Sequence, residues 1–177
     1  MFWRILDFVK EFAEGKEIKT VLDVGSRNIN GSVLDVLKVE RYVGVDMIEG
    51  KGVEIVLNGH ELVEFFKESG QFTYPKEYDL VTCCETLEHD NKFWLTVENM
   101  KKMVKPGGWM LITVPGINFF KHDFPHDYYR FTEEAVKEMF EGFEDVHVEY
   151  YFDKADPNQD KPNNSVMAYG RKPLWNL

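Results

Sequence analysis

Thr20-Val-Leu-Asp-Val-Gly-Ser26, followed by Arg41-Tyr-Val-Gly-Val-Asp-Met47, decides how this chain is read. An apolar run enters a glycine loop, and a second apolar run closes on a carboxylate about twenty residues later. In an open α/β sheet that order builds a nucleoside pocket, in which the loop allows close backbone approach and the carboxylate accepts ribose hydroxyls. The loop itself, Gly25-Ser-Arg-Asn-Ile-Asn-Gly31, carries Arg27 where the dinucleotide fingerprint G-x-G-x-x-G has its second glycine. The close approach that a pyrophosphate needs is lost, so the pattern suits a nucleoside cofactor without a diphosphate.

Outward from this stretch, strands and helices alternate. Apolar residues from Phe2 to Ala13 recur at helical spacing, predicting an amphipathic helix within residues 1–15. Strands are expected at Thr20–Val24, Tyr42–Asp46, Val53–Leu57, Tyr78–Cys84 and Trp109–Val114, with helices at Gly31–Leu37, Glu61–Lys67 and Lys92–Val104. Tyr78–Cys84 is almost continuously apolar, as a strand buried on both faces should be. Gln71–Glu77, with Pro75, reads as a loop, and Lys105-Pro-Gly-Gly108 as a helix stop. After an irregular stretch rich in aromatics and histidine, Ile117–Phe131, Thr132 is an N-cap for a helix to Phe140. Glu144–Phe152 and Ser165–Arg171 form a terminal hairpin joined by the polar loop Asp153–Asn164. The expected fold is a doubly wound, Rossmann-like α/β sheet, mostly parallel, with helices on both faces and an antiparallel end. Gly25, Asp46, Asn58, Glu85 and Pro115 all fall at carboxyl ends of strands, where such sheets bind ligands.

Composition narrows the function. At 177 residues the chain is expected to be one domain, 1–177, with a sizeable core. Its net charge of −10 disfavours nucleic-acid phosphates as partners. Cys83 and Cys84 are adjacent in a strand and point to opposite faces, so they do not pair. With no other cysteine, the reading is cytoplasmic, and no apolar run is long enough to predict membrane insertion.

At this point the chain resembles the class I S-adenosylmethionine-dependent methyltransferases. Val21–Ser26 looks like their first motif and Tyr42–Asp46 like their second strand. Tyr78–His89 is similar to their fourth strand and following turn, and Lys105–Thr113 to their turn into strand five. The resemblance covers about Thr20–Pro115 and rests on four blocks in order. It implies that S-adenosylmethionine is the cofactor. Asp23, Gly25, Ser26 and Asn30 would shape the loop around its methionine end, and Asp46 would take both ribose hydroxyls. Met47 would pack on the adenine, Asn58 and Gly59 would address the adenine amino group through the Asn58 amide oxygen, and Glu85 would lie by the reactive end. Arg27, and Asn58 in place of the usual aspartate, depart from the family pattern.

Methyl transfer is an in-line displacement that depends mainly on positioning, with a base useful when the acceptor is a hydroxyl. Candidates for that base are Glu88-His89, after strand four, and His126. Lys121-His-Asp-Phe-Pro-His-Asp-Tyr-Tyr-Arg-Phe-Thr132 resembles a segment that covers the acceptor in some of these enzymes, so residues 117–131 are read as a substrate lid. His126 is the base or positioning group, with Asp127 orienting it or the loop, and Tyr129 and Arg130 are acceptor contacts. Arg130 paired to Asp127, or bound to carbonyls, is the alternative. No metal is expected: Pro125 interrupts His122 and His126, and Glu85-Thr-Leu-Glu-His89 lacks the second histidine of a zinc peptidase helix. The expected activity is methyl transfer to an oxygen or nitrogen of a small molecule such as a sugar, a metabolite or a carrier-bound acceptor. A non-catalytic nucleoside-binding module and an NAD-dependent oxidoreductase remain as alternatives.

Overall fold

Seven consecutive residues, Tyr78–Cys84, are buried without exception and form the central strand β4. Such a strand needs cover on both faces, and the rest of the chain supplies it. The computed structural model describes residues 3–68, 77–122, 126–153 and 163–174. Around β4 lie β1 (Thr20–Val24), β2 (Arg41–Asp46), β3 (Ile55–Val56), β5 (Val104–Pro115), β6 (Glu144–Asp153) and β7 (Asn163–Arg171). They form a seven-stranded sheet in the order β3-β2-β1-β4-β5-β7-β6. β3 through β5 in that order are mutually parallel, whereas β7 runs antiparallel to both β5 and β6. The fold class is the one expected.

Alternating side chains divide the core in two. Leu22, Val24, Val43, Val45, Val81, Cys83 and Ile112 face α2 (Leu62–Glu68), α3 (Phe93–Met103) and α4 (Glu133–Glu138). Val21, Leu80, Cys84, Leu111 and Met167 face α1 (Trp3–Ala13), which buries Ile5, Phe8, Val9 and Phe12. The two free cysteines therefore lie in different cores, as adjacent strand residues must. No helix among the described residues is long and apolar enough to cross a membrane.

Several boundaries differ from expectation, each for a local reason. The helix predicted at 31–37 is one 3₁₀ turn, Val33–Asp35, closed by a Ser32–Asp35 capping box. Strand β3 keeps only two residues because the Val53 amide is spent on a turn to the Gly50 carbonyl. Met139 and Phe140 donate three residues back, to Val136 and Lys137, which tightens the end of α4 at Glu138. The Lys105–Gly108 stop does end α3, but Val104 already pairs with Tyr78, so the segment is a bulge inside β5. Residues 71–76 of the expected loop, with Pro75, and 154–162 of the hairpin connection lie outside the described residues.

Strand order reverses between β1 and β4, and at that seam sits a buried carboxylate. Asp23 Oδ1 accepts from Thr82 Oγ1 on β4 (2.7 Å) and Oδ2 from the Tyr42 hydroxyl on β2 (2.8 Å). Burial raises the Asp23 carboxyl to about 6 from 3.8, although the two hydroxyls pull against the shift. The folded chain thus holds a proton that the unfolded chain releases as pH rises from about 4 to about 6. Stability from this group should fall across that window by up to roughly 3 kcal/mol and then level off. Asp23→Asn should remove that slope, as read by urea denaturation of both proteins through the same pH range.

Candidate active site at the strand reversal

A cavity of about 790 Å³ opens over the carboxyl ends of β1, β2 and β4. Parallel strands deliver their loops to one edge, and the reversal between β1 and β4 leaves a crevice there. Asp23, Gly25, Ser26, Asn30, Asp46, Met47, Asn58, Gly59, Glu85, His89 and His126 all line it.

Asp46 is fixed by two backbone amides: Oδ1 accepts from Ile48 N (2.9 Å) and Oδ2 from Arg27 N (3.2 Å). Its carboxylate is therefore aimed before any ligand arrives. Gly25 has φ +79, and a Cβ there would stand 2.0 Å from Thr86 Oγ1. The glycine is needed for contact between the loops after β1 and β4, which the sequence reading assigned to the cofactor alone.

Asn58 Oδ1 accepts from His60 N (3.0 Å), capping the turn Gly59–Glu61, so the oxygen offered to an adenine amino group is committed to the chain. That turn is pinned to α3. Asn99 Nδ2 donates to the carbonyls of Gly59 and His60, and His60 Nε2 lies 2.6 Å from Asp90 Oδ1. Asp90 also accepts from Thr96 Oγ1 (2.6 Å) and Lys92 N (2.8 Å). A Cβ on Gly59 would meet Thr96 Cγ2 at 2.7 Å. The sequence reading missed His60, Thr86 and Asp90, although Asp90, two residues ahead of Lys92, carried the signal of an Asx turn before a helix.

Glu85 leaves β4 in the left-handed region, φ +48, with its amide bonded to the Thr113 carbonyl. Burial first, then the adjacent Glu88 carboxylate, push the Glu85 carboxyl well above the usual range. Glu88 is fully buried; the Nε2 atoms of His89 and His122 stand 3.4 and 3.5 Å from its Oε1. His89 Nδ1 is bonded to the His126 carbonyl. Glu88 raises the His122 imidazole against the effect of burial.

Residues 1–156 match the model of the family described as "Methyltransferase domain". The chain belongs to the methyltransferase domain family. Ubiquinone biosynthesis O-methyltransferase of Hydrogenovibrio crunogenus is 29% identical over 123 residues, covering 64% of this chain and 49% of that protein. The enzyme of that name from Proteus mirabilis is 36% identical over 114 residues, covering 58% and 44%. The chain thus spans about half the length of the curated relatives it matches. Among solved structures, a SAM-dependent methyltransferase from Archaeoglobus fulgidus superposes with TM-score 0.64 at 19% identity, covering 94% of each chain. Haemonchus contortus phosphoethanolamine N-methyltransferase 2, solved with S-adenosyl-L-methionine, gives 0.62 at 19%, covering 97% of this chain and 53% of that one. Both share the fold.

The segment read as the methyltransferase lid is built differently from expectation. Arg130 forks onto Asp127, Nη1 to Oδ1 (2.5 Å) and Nη2 to Oδ2 (2.6 Å), and also donates to the carbonyls of Phe119, Phe120 and Tyr129. Irregular backbone leaves carbonyls that a sheet would satisfy, and the guanidinium takes them up. Arg130 is therefore a clamp, the alternative weighed from sequence, and is not available to an acceptor. Asp127 accepts from His122 N (2.8 Å), so it orients the loop and not His126. Tyr129 packs on Phe93 and donates to the carbonyl of the lining residue Asn91 without lining the cavity itself; Tyr128 lines the wall instead. The His126 ring is exposed at the cavity's edge, while its carbonyl holds His89. Phe124 and Pro125 lie outside the described residues.

Breaking the clamp strands a carboxylate whose side chain is 1% exposed. Arg130→Met should lose about 3 kcal/mol of stability and speed proteolysis between residues 117 and 131. Arg130→Lys should recover less than half of it, since an ammonium cannot serve the fork. Urea denaturation and timed protease digestion read both.

Proposed function

We propose that this chain transfers a methyl group from S-adenosylmethionine to an oxygen or nitrogen of a small-molecule acceptor. The observation that carries this reading is the Asp46 carboxylate, pre-aimed by Arg27 N and Ile48 N at the rim of a cavity over the strand reversal. The lining fits such a cofactor. Asp23, Asp46 and Asp90 face the cavity with Arg27 as their one full cationic counterpart in the lining. That surface favours a ligand bearing a sulfonium and an ammonium over one bearing a diphosphate. Thr86 also occupies the space beside Gly25 into which a pyrophosphate's close approach would have to press. Both points count against the nicotinamide alternative.

When bound, the cofactor supplies an electrophilic methyl on a sulfonium. The chain's residues do the rest. Asp46 accepts the ribose hydroxyls, the Asn58–His60 turn and exposed Met47 flank the base, and Glu85 faces the sulfonium end. His89, His122, His126, Phe119, Phe120 and Tyr128 form the acceptor wall, excluding water and aligning the nucleophile. The ubiquinone-pathway O-methyltransferases among its relatives support oxygen as the accepting atom and a small acceptor. We place the enzyme in the cytoplasm as a single domain, in keeping with its two buried free thiols.

Two measurements test this. S-Adenosylmethionine and S-adenosylhomocysteine should raise the melting temperature, and NAD should not. Asp46→Ala should weaken S-adenosylhomocysteine about 10- to 100-fold in calorimetric titration, the equivalent of losing hydrogen bonds to a charged acceptor. Stabilisation by NAD alone, or unchanged affinity in the variant, sinks the assignment.

A further inference from the structure

We propose that Glu88, His89 and His122 bind a divalent transition-metal cation on the acceptor side of the cavity, and that the cation's remaining positions take the oxygen of an acceptor hydroxyl. The proposal deepens the methyl-transfer reading and rests on it for the acceptor, though not for the metal. Among the described residues this is a group whose ligand atoms all lie within 4.8 Å of one another.

Glu88 makes the case independent of mere clustering. It is 0% exposed, and no hydrogen bond reaches either of its carboxylate oxygens. A buried carboxylate without a hydrogen bond is costly enough that it needs a close counter-charge. The two imidazoles stand at 3.4 and 3.5 Å from Oε1, too long for good hydrogen bonds. Those spacings match the edges of a tetrahedron whose corners lie roughly 2.0–2.1 Å from a central zinc-like ion, which are roughly 3.3–3.4 Å long.

The His89 ring is also presented as a metal ligand is. A metal-bound histidine directs its other nitrogen at a carbonyl or carboxylate, which fixes the tautomer. His89 Nδ1 is bonded to the His126 carbonyl, so its proton sits there and Nε2 offers a lone pair toward Glu88. His122 also turns Nε2 toward Glu88, while its Nδ1 is buried without a hydrogen bond, 3.8 Å from Asp127 Oδ2. The Asp127–Arg130 clamp, with Asp127 holding His122 N, thereby fixes a ligand. The sequence reading excluded a metal by testing His122 against His126. The structure instead joins His122 to His89, from segments on either side of β5.

Two imidazoles and one carboxylate select Mn²⁺, Fe²⁺, Co²⁺ or Zn²⁺ over Mg²⁺ and Ca²⁺, and three protein ligands leave positions open. His89 and His122 line the cavity, so the open side faces an acceptor. A hydroxyl bound there becomes more acidic and releases its proton to solvent. Its oxygen pair then forms the bond to the methyl carbon of S-adenosylmethionine while the carbon–sulfur pair returns to sulfur. Oxygen ligands suit this role; protonated amines do not.

The experiment is cobalt titration of the untagged, chelator-stripped full chain, read by visible absorption and by melting temperature, with no S-adenosylmethionine present. One equivalent of Co²⁺ should give d–d bands that Zn²⁺ displaces. Glu88→Gln and His122→Ala should each weaken binding at least about 100-fold, more than loss of an outer-shell partner does, and His126→Ala should leave the bands in place. His122→Ala removes a half-exposed ring from a loop, so it reads the site even if Glu88→Gln does not fold. Absence of bands and of any metal-induced melting shift overturns the proposal, as does unchanged binding in His122→Ala. S-Adenosylhomocysteine titration of the same samples separates the two readings: cofactor binding without cobalt binding defeats the metal alone, and the reverse defeats the methyl-transfer assignment alone.

Discussion

A carboxylate buried between three parallel strands sets the geometry on which the cavity depends. Asp23 faces Gly44 on one side and Thr82 on the other in the strand register. Its oxygens are taken by the hydroxyls of Tyr42 and Thr82, so β2, β1 and β4 are tied laterally one layer below their carboxyl ends. A buried acid is tolerated only when so satisfied. The tie also keeps the loops at Gly25, Asp46 and Glu85 level with one another, which is the condition for one cavity to touch all three.

The two sides of that cavity are organised by different chemistry. On the donor side, backbone amides and turns aim the functional groups: Ile48 N and Arg27 N hold Asp46, and Asn58 caps its own turn. On the acceptor side, irregular backbone is organised by one guanidinium, the His89 ring is oriented through a carbonyl, and the His122 backbone is held by a carboxylate. The first kind of order follows from sheet topology. The second depends on side chains meeting across long sequence separations.

That contrast explains what could be read from the sequence. Strand β4 was legible to the residue because seven apolar or small positions in a row have few alternatives. Asp46 was legible because a carboxylate at a strand end, one loop after a glycine turn, has a fixed place in a parallel sheet. Arg130 was not. Its carbonyl partners at Phe119 and Phe120 become visible only once the chain folds back on itself, and a charged residue in a loop otherwise resembles a ligand contact. Glu88 was legible beside His89 as a candidate base cluster but not as a partner of His122, for a related reason: motif reasoning looks along one segment, whereas its neighbours His89 and His122 come from two. The Ser32–Asp35 box was present in the sequence but was read as the start of a longer helix.

Gly25 bears on how the two sides communicate. Because it lacks a side chain, Thr86 nests directly against the first loop, and the following residues, Glu88 and His89, are the acceptor side's own. The loops after β1 and β4 therefore form a single partition with no slack between its faces. Free energy that one guest invests in shifting that partition is returned in the affinity of the other, since thermodynamic linkage runs equally in both directions.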